Sequence, residues 1–318
     1  MSSAPKPLPR PQSRRILVVG DIMTDVVARL SGPIAFGSDT PAQIVETQGG
    51  SGANAAAWLA HFGADVTFAA RVGASDLGAQ EQILRACGVT PALAADAARP
   101  TGRLIALVET GGERSFLTDR GANENLCAAD LPQTLLDGTG HLHISGYAFF
   151  AASPRAAALA LMQAAKARGI PVSIDPSSAS FLAAAGPRNF LAWTSGADLC
   201  FPNEEEAVVL SGSGDPDAQL AVLMAHYPTL VVKQGAAGAH VFTNGGQKKI
   251  SCAVSGVRAI DTTGAGDAFL GAYLAARVAG KNTEFCLLAA AKAGAAAVRQ
   301  TGGRPPARPA IIPVASRP

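Results

Sequence analysis

Apolar positions follow two rhythms along the chain. Short runs at Ile16–Val19, Asp65–Ala70, His141–Ile144, Val172–Ile174, Leu199–Phe201, Leu230–Lys233 and Ala239–Phe242 have the length and content of buried strands. Between them, Asn54–Phe62, Ala79–Ala86, Ala156–Ala167, Glu204–Leu210 and Ala218–His226 read as helices, the first two stopping near Gly63 and Gly88. A further strand is expected over Ser251–Ile260, then an apolar helical run, Ala268–Ala279, while the Ala-rich Leu287–Val298 reads as a buried helix. Strands and helices alternating through short links predict a parallel sheet covered on both faces. Two regions break the rhythm. Asp25–Leu30 with Gln43–Glu46, and Gly102–Glu109 with Arg114–Thr118, read as strands with no helix between them, and Thr110-Gly111-Gly112-Glu113 is a hairpin signal. They form either a small sheet standing off the main domain as a lid or an antiparallel extension of the main sheet.

Composition narrows the class. With 318 residues, 48% hydrophobic and 16% charged, the chain buries a substantial core as one large α/β domain or two small ones. A net charge of +2 supplies no general field for nucleic acid or for an anionic membrane, so affinity for phosphate must be local. The five cysteines, Cys87, Cys127, Cys200, Cys252 and Cys286, are scattered without a Cys-x-x-Cys pair. That argues against a disulfide framework and a tight His/Cys metal site and fits a reducing cytoplasm. His141 and His143 face one side of a strand, with no third ligand at metal spacing. Residues 1–14, rich in Pro, Ser and basic side chains and lacking an apolar segment, read as a disordered tail. No apolar run is long and charge-free enough to span a membrane.

The stretch Asp261–Phe269, DTTGAGDAF, carries the most chemistry. Its Gly-x-Gly turn feeds a helix, so the N–H groups of Gly264, Ala265 and Gly266 stand unpaired where the helix dipole favours an anion. Asp267 falls in the first turn. An anion hole beside a carboxylate suits phosphoryl transfer: the hole steadies the moving charge and the carboxylate takes the proton of the attacking hydroxyl. The same residues also describe a plain helix start with Asp267 complementing the dipole. Gly49-Gly50-Ser51-Gly52-Ala53-Asn54 precedes another helix, its glycines permitting close approach of a ligand and Asn54 offering a donor and an acceptor to hydroxyls. It is not a dinucleotide fingerprint, and no Walker lysine motif occurs in the chain. Asp25 is a polyol reader by its chemistry. Asn203 and Glu206 follow a strand and suit a helix cap, a magnesium–phosphate site, or both. Lys233, with Gly235 and Gly238, ends a strand where a ligand phosphate or only solvent would meet it, and Arg120 either reaches an anionic substrate group or is a solvated turn residue.

These motifs, in this order from about Ile16 to about Pro305, resemble the ribokinase (PfkB) family of carbohydrate kinases. The resemblance implies a three-layer α/β/α fold over residues 15–318, with a mainly parallel central sheet and a small β-lid at about 22–48 and 101–122. It implies transfer of phosphate from ATP, with Mg²⁺, to a hydroxyl of a small sugar or sugar acid. Asp267 is then the base, Gly264, Ala265 and Gly266 the anion hole, and Asp25, Gly49, Gly50, Asn54 and Arg120 the substrate contacts. Asn203, Glu206, Lys233, Gly235 and Gly238 hold ATP and Mg²⁺, and Asp261 and Thr263 help hold K⁺. A homodimer through the lid is also implied. Met23 and Ser51 stand where ribokinases proper usually carry Asn and Lys, and the Gly20–Asp25 form is closer to that of heptose-phosphate kinases. A nucleoside kinase of the same family and a non-catalytic sugar- or nucleotide-sensing protein remain alternatives.

Overall fold

Strand β1 (Arg15–Val19) is buried on both faces, Ile16 and Val18 against one layer of helices and Leu17 and Val19 against the other. This is the signature of a strand inside a covered parallel sheet, and β1 pairs in parallel on both sides, with β4 (Asp65–Gly73) and β8 (Thr139–Ser145). In the computed structural model, which describes residues 14–111, 113–253, 257 and 259–306, the remaining strands are β2 (Met23–Leu30), β3 (Ala42–Gly49), β5 (Thr90–Asp96), β6 (Gly102–Val108), β7 (Arg114–Asp119), β9 (Val172–Asp175), β10 (Leu199–Cys200), β11 (Thr229–Lys233), β12 (Ala239–Thr243) and β13 (Lys248–Cys252). The main sheet has the order β13-β12-β11-β10-β9-β8-β1-β4-β5, parallel except for the antiparallel β11–β12–β13 edge. The tail expected at 1–14 and the part of the expected kinase domain beyond residue 306 lie outside the described residues, Arg14 apart.

One helical layer contains α1 (Ser51–His61), α2 (Leu77–Ala86), α8 (Ala265–Val278) and α9 (Thr283–Ala297). The other contains α3 (Ala152–Ala167), α4 (Ala179–Ala185), α5 (Pro187–Thr194), α6 (Glu204–Ser211) and α7 (Pro216–Met224). Three of these elements, β5, α4 and α5, have no counterpart in the sequence reading. The strand expected over Ser251–Ile260 is corrected. Among the described residues of that stretch only Ser251 and Cys252 belong to β13, whose partner β12 begins at Ala239, which pairs with Cys252. Residues 254–256 and 258 lie outside the described residues.

The two regions that broke the rhythm form a separate sheet, β3-β2-β6-β7, rather than an extension of the main one. Its register puts Met23, Asp25, Leu104 and Thr118 on one face and Val26, Ile44, Ile105 and Leu117 on the other. Among the described residues no helix is long and apolar enough to cross a membrane.

His141 and His143 do face one side of β8, and both meet the hydroxyl of Ser173 on β9, at 2.8 and 3.0 Å. Each is 1% exposed. Burial holds both imidazoles neutral, pushing His143 down to about 4 and His141 well below its ordinary value. An unfolded histidine titrates near 6.5, so the native state resists a proton that the unfolded state accepts. Stability from this source is complete above about pH 6.5 and falls as the pH drops toward 4. Relative to His143→Gln, the wild type should lose about 2–3 kcal/mol more between pH 7 and 4.5. Urea unfolding at the two pH values measures the difference, and parallel losses would refute it.

Candidate active site

The C-terminal ends of the parallel strands converge beneath the second sheet, the usual place for a ligand in such folds. Asp175 ends β9, Asn203 follows β10 and Lys233 ends β11, with a single bridge between Asn203 and Lys233. Above them, Met23, Asp25, Leu104 and Thr118 close a polar cleft of about 260 Å³. A second cavity of about 490 Å³, an apolar slot walled by Ala236, Ala259, Ala291, Gly294, Ala295 and Val298, shares Lys233 and Gly266 with the cleft. Gly235 and Gly238 border the slot, while Gly50, Asn54, Arg120, Asn203, Glu206, Thr263, Gly264 and Asp267 border the cleft.

Helix α8 begins where the two cavities meet. Gly264 takes a left-handed conformation (φ 73°), and a Cβ there would lie 2.3 Å from the carbonyl oxygen of Gly303, so only glycine serves. No side chain caps this helix start. Of the expected anion-hole donors, Ala265 N–H turns back to the Thr262 carbonyl at 3.3 Å, and among the described residues no partner occupies the N–H of Gly264 or Gly266. Asp267 stands in the first turn and is held by α1: Ser51 Oγ donates to its Oδ1 at 2.8 Å and Asn54 Nδ2 to its Oδ2 at 3.2 Å. Two lone pairs per oxygen leave room for a substrate hydroxyl. Burial raises the Asp267 carboxyl to about 7, with Asp175 adding to the rise and Ser51, Asn54 and Lys233 opposing it.

The charges behind Asp267 are interlocked. Lys233 Nζ lies 2.6 Å from Asp175 Oδ2. Burial alone would lower the ammonium, but Asp175 and Glu206 keep its proton held above the usual range. Asn203 and Glu206 form a reciprocal cap at the start of α6: Glu206 N–H donates to Asn203 Oδ1 at 2.8 Å, and Asn203 N–H to Glu206 Oε2 at 2.9 Å. Glu206 is 2% exposed, and burial raises its carboxyl. Among the described residues no group of three or more His, Cys, Asp or Glu converges on a metal position. Asp175, Asn203 and Glu206 border the cleft with oxygen donors, one or two carboxylates being what Mg²⁺ takes together with water.

Asp25 faces the cleft on β2, and its carboxylate fills the space a side chain on Gly49 of β3 would take, a Cβ there lying 2.1 Å from Oδ1. Asp25 Oδ1 is buried with no hydrogen-bond partner among the described residues. Burial and then Asp21 raise its carboxyl to about 6, against Arg304. Arg120 is not a free anion receptor. It lies 4.5 Å over the Tyr147 ring, donates to the Tyr147 carbonyl and pairs with Asp21 at 3.6 Å. Asn123, which exchanges hydrogen bonds with the Ile22 backbone, fixes the turn that presents Arg120. Asp261 accepts from Thr263 N–H and Gly302 N–H, binding the start of α8 to the C-terminal loop.

The sequence reading missed Asp21, Ser51 as a contact of Asp267, Tyr147, Asp175, Ser177 and Arg304. Asp175 alone left a legible sign, a carboxylate at the end of a buried strand.

The pfkB family carbohydrate kinase model matches residues 13–310. A fructokinase of Klebsiella pneumoniae is 31% identical over 285 residues, covering 82% of this chain and 83% of its own. An ATP-dependent ribose-1-phosphate kinase of Halopiger xanaduensis is 30% identical over 302 residues, covering 91% and 94%. An adenosine kinase structure from Sinorhizobium meliloti superposes with a TM-score of 0.82 over 92% of this chain and 95% of its own, at 24% identity, a likeness of fold alone.

A carboxyl raised to about 7 binds a proton in the native state that the unfolded state releases near 3.8. The cost of the buried charge therefore accrues as the pH rises from about 4 to about 7 and is complete above 7. Asp267→Asn should melt above the wild type at pH 8, by about 1–3 kcal/mol in stability, and the gain should close toward pH 4.5. Calorimetry at both pH values tests this. An equal offset at both would show that Asp267 is not held near neutrality.

Proposed function

The chain belongs to the pfkB family of carbohydrate kinases and is an ATP-dependent sugar kinase, and from this premise we propose that it phosphorylates a hydroxyl of an uncharged monosaccharide, with Asp267 as general base. The observation that carries the reading is the place of Asp267. It sits at the open N-terminus of α8, where the polar cleft meets the apolar slot, with its carboxyl near neutrality. A base at that value accepts a proton at working pH and releases it afterwards.

The slot, lined by alanine and glycine, suits the flat apolar face of a purine, which directs the phosphates past Lys233 to the free N–H groups of Gly264 and Gly266. Asn203, Glu206 and Asp175 are the oxygen donors for Mg²⁺, which when bound neutralises phosphate charge. Gly235 and Gly238 let the chain approach the nucleotide closely. Asp261 and Thr263 remain our assignment for K⁺, supported by the way Asp261 gathers the two loops whose carbonyls would surround it.

The sugar end of the cleft favours a neutral substrate. Arg120 is matched by Asp21, and Asp25 by the nearby charge of Arg304. A phosphate or carboxylate there would compete with Asp21 and Asp25 for cations already engaged, whereas sugar hydroxyls donate well to Asp25 and Asn54. A nucleoside is less favoured, since Arg120 already covers a face of the Tyr147 ring, the aromatic side chain lining the cleft. A sensor without catalysis would have no need of a carboxylate held near neutrality. The free cysteines support a cytoplasmic setting.

ADP release should be measured with ribose, fructose, 2-keto-3-deoxygluconate, sugar phosphates and nucleosides. We expect turnover with a neutral sugar, and a loss of roughly 10²–10⁴ in kcat for Asp267→Asn with the fold retained. Preference for a sugar phosphate, a sugar acid or a nucleoside would overturn the substrate assignment. Near-normal turnover of the variant would overturn the base.

The outer face of the lid supports pairing with a second copy of the chain: Ile44, Ile105 and Leu117 share it and are 66%, 39% and 58% exposed. Sedimentation should give a dimer that Ile44→Lys with Leu117→Lys dissociates. A monomeric wild type would refute it.

A further inference from the structure

Arg304 lies in the C-terminal loop, far from the signature motifs in sequence, yet it reaches the back of the substrate loop. Its Nε donates to Asn54 Oδ1 at 3.3 Å and its Nη2 to the Gly49 carbonyl at 3.2 Å. Asn54 is 4% exposed, and its amide nitrogen donates to Asp267 Oδ2. The loop that carries Arg304 is fastened independently. Trp58 Nε1 donates to the Gly303 carbonyl at 2.9 Å, and Gly302 N–H donates to Asp261 at 3.1 Å. A Cβ on Gly303 would lie 2.4 Å from Asn54 Nδ2, so the loop runs close to that amide and a side chain at this position would displace it.

The two ends of an asparagine amide have nearly the same shape and opposite polarity. Arginine only donates, so the atom facing Arg304 must be the carbonyl oxygen, and the NH₂ must then face Asp267. Without that partner the amide can rotate and present its oxygen to a carboxylate, acceptor against acceptor. We propose that Arg304 is a positioning residue for phosphoryl transfer, which acts through Asn54 by locking the amide so that its NH₂ is offered to Asp267. The same guanidinium braces the Gly49 carbonyl and provides positive charge near Asp25, so it also supports the sugar-binding loop. The inference rests on Asp267 being the base. The other charges that bear on Asp267, Asp175 on β9 and Lys233 on β11, are untouched by the variants below.

The test is the pH dependence of kcat for Arg304→Met and Arg304→Lys, using the best sugar found for the wild type. Losing a hydrogen bond to a charged acceptor should lower kcat by roughly tenfold or more and move the acid limb of the kcat profile up by about one pH unit. The KM for the sugar should rise and the KM for ATP should stay within about twofold, since Arg304 does not border the slot. Lysine keeps the charge but not the forked pair of donors, so it should recover melting temperature without recovering the acid limb. In an Asn54→Ala background, Arg304→Met should cost at most about twofold in kcat. An unmoved acid limb, or an undiminished kcat loss in that background, overturns the proposal. Should Arg304→Met fail to fold, the acid limb of Arg304→Lys decides it either way. Near-normal turnover of Asp267→Asn would instead sink the base assignment, while an inactive Asp267→Asn with an unmoved Arg304 limb sinks only this inference.

Discussion

The contact of Asp267 with the start of α1 is the constraint on which the rest of the site depends. Ser51 and Asn54 reach Asp267 across 216 and 213 residues of sequence. The two helices can meet there because α8 carries small residues at the crossing: a Cβ on Gly271 would lie 2.7 Å from Trp58 Cβ and 3.0 Å from the Leu59 nitrogen of α1, and Ala268 and Ala272 pack in one buried cluster with Trp58. A larger residue at this seam would separate the helix starts, and the hydrogen bonds to Asp267 would be lost first because they tolerate only a few tenths of an ångström.

Around that contact the protein gathers more carboxylates than it neutralises. Asp25, Asp175, Glu206 and Asp267 all border the cleft, with Lys233 and Arg120 as the cations lining it. Burial would make such a cluster costly if every carboxyl were charged, and the raised positions of Asp25, Glu206 and Asp267 are the response. The arrangement suits a site whose ligands bring hydroxyl donors and a metal. Lys233 is committed to Asp175 at 2.6 Å, so its engagement with phosphate is an exchange of one anion for another.

The expected strands and helices of the covered sheet were legible because a buried parallel strand is a short apolar run and a core helix has a wide apolar face. Errors arose where that logic lapses. β13 is mostly exposed, so its Lys248-Lys249 start gave no apolar signal, and the expected strand was drawn too far downstream. β5 alternates small residues that are only half-buried, and α4 and α5 are short helices split at Gly186. The lid strands could be seen as strands, but only their register separates the cleft face bearing Asp25 from the outer face bearing Ile44.

By itself the sequence determined the fold class, the helix start carrying Asp267 and the eligibility of Asn203 to cap a helix, since each rests on local periodicity or on residues within a few positions of one another. The tertiary structure alone decided which partners those groups have. Arg120 is taken by Asp21 and Tyr147, Lys233 by Asp175, and Asn54 by Arg304 on one side and Asp267 on the other. The physical reason is that a hydrogen bond or ion pair is set by distances of about 3 Å in space, and the residues that meet here are brought together by sheet order and helix packing, which no local pattern encodes.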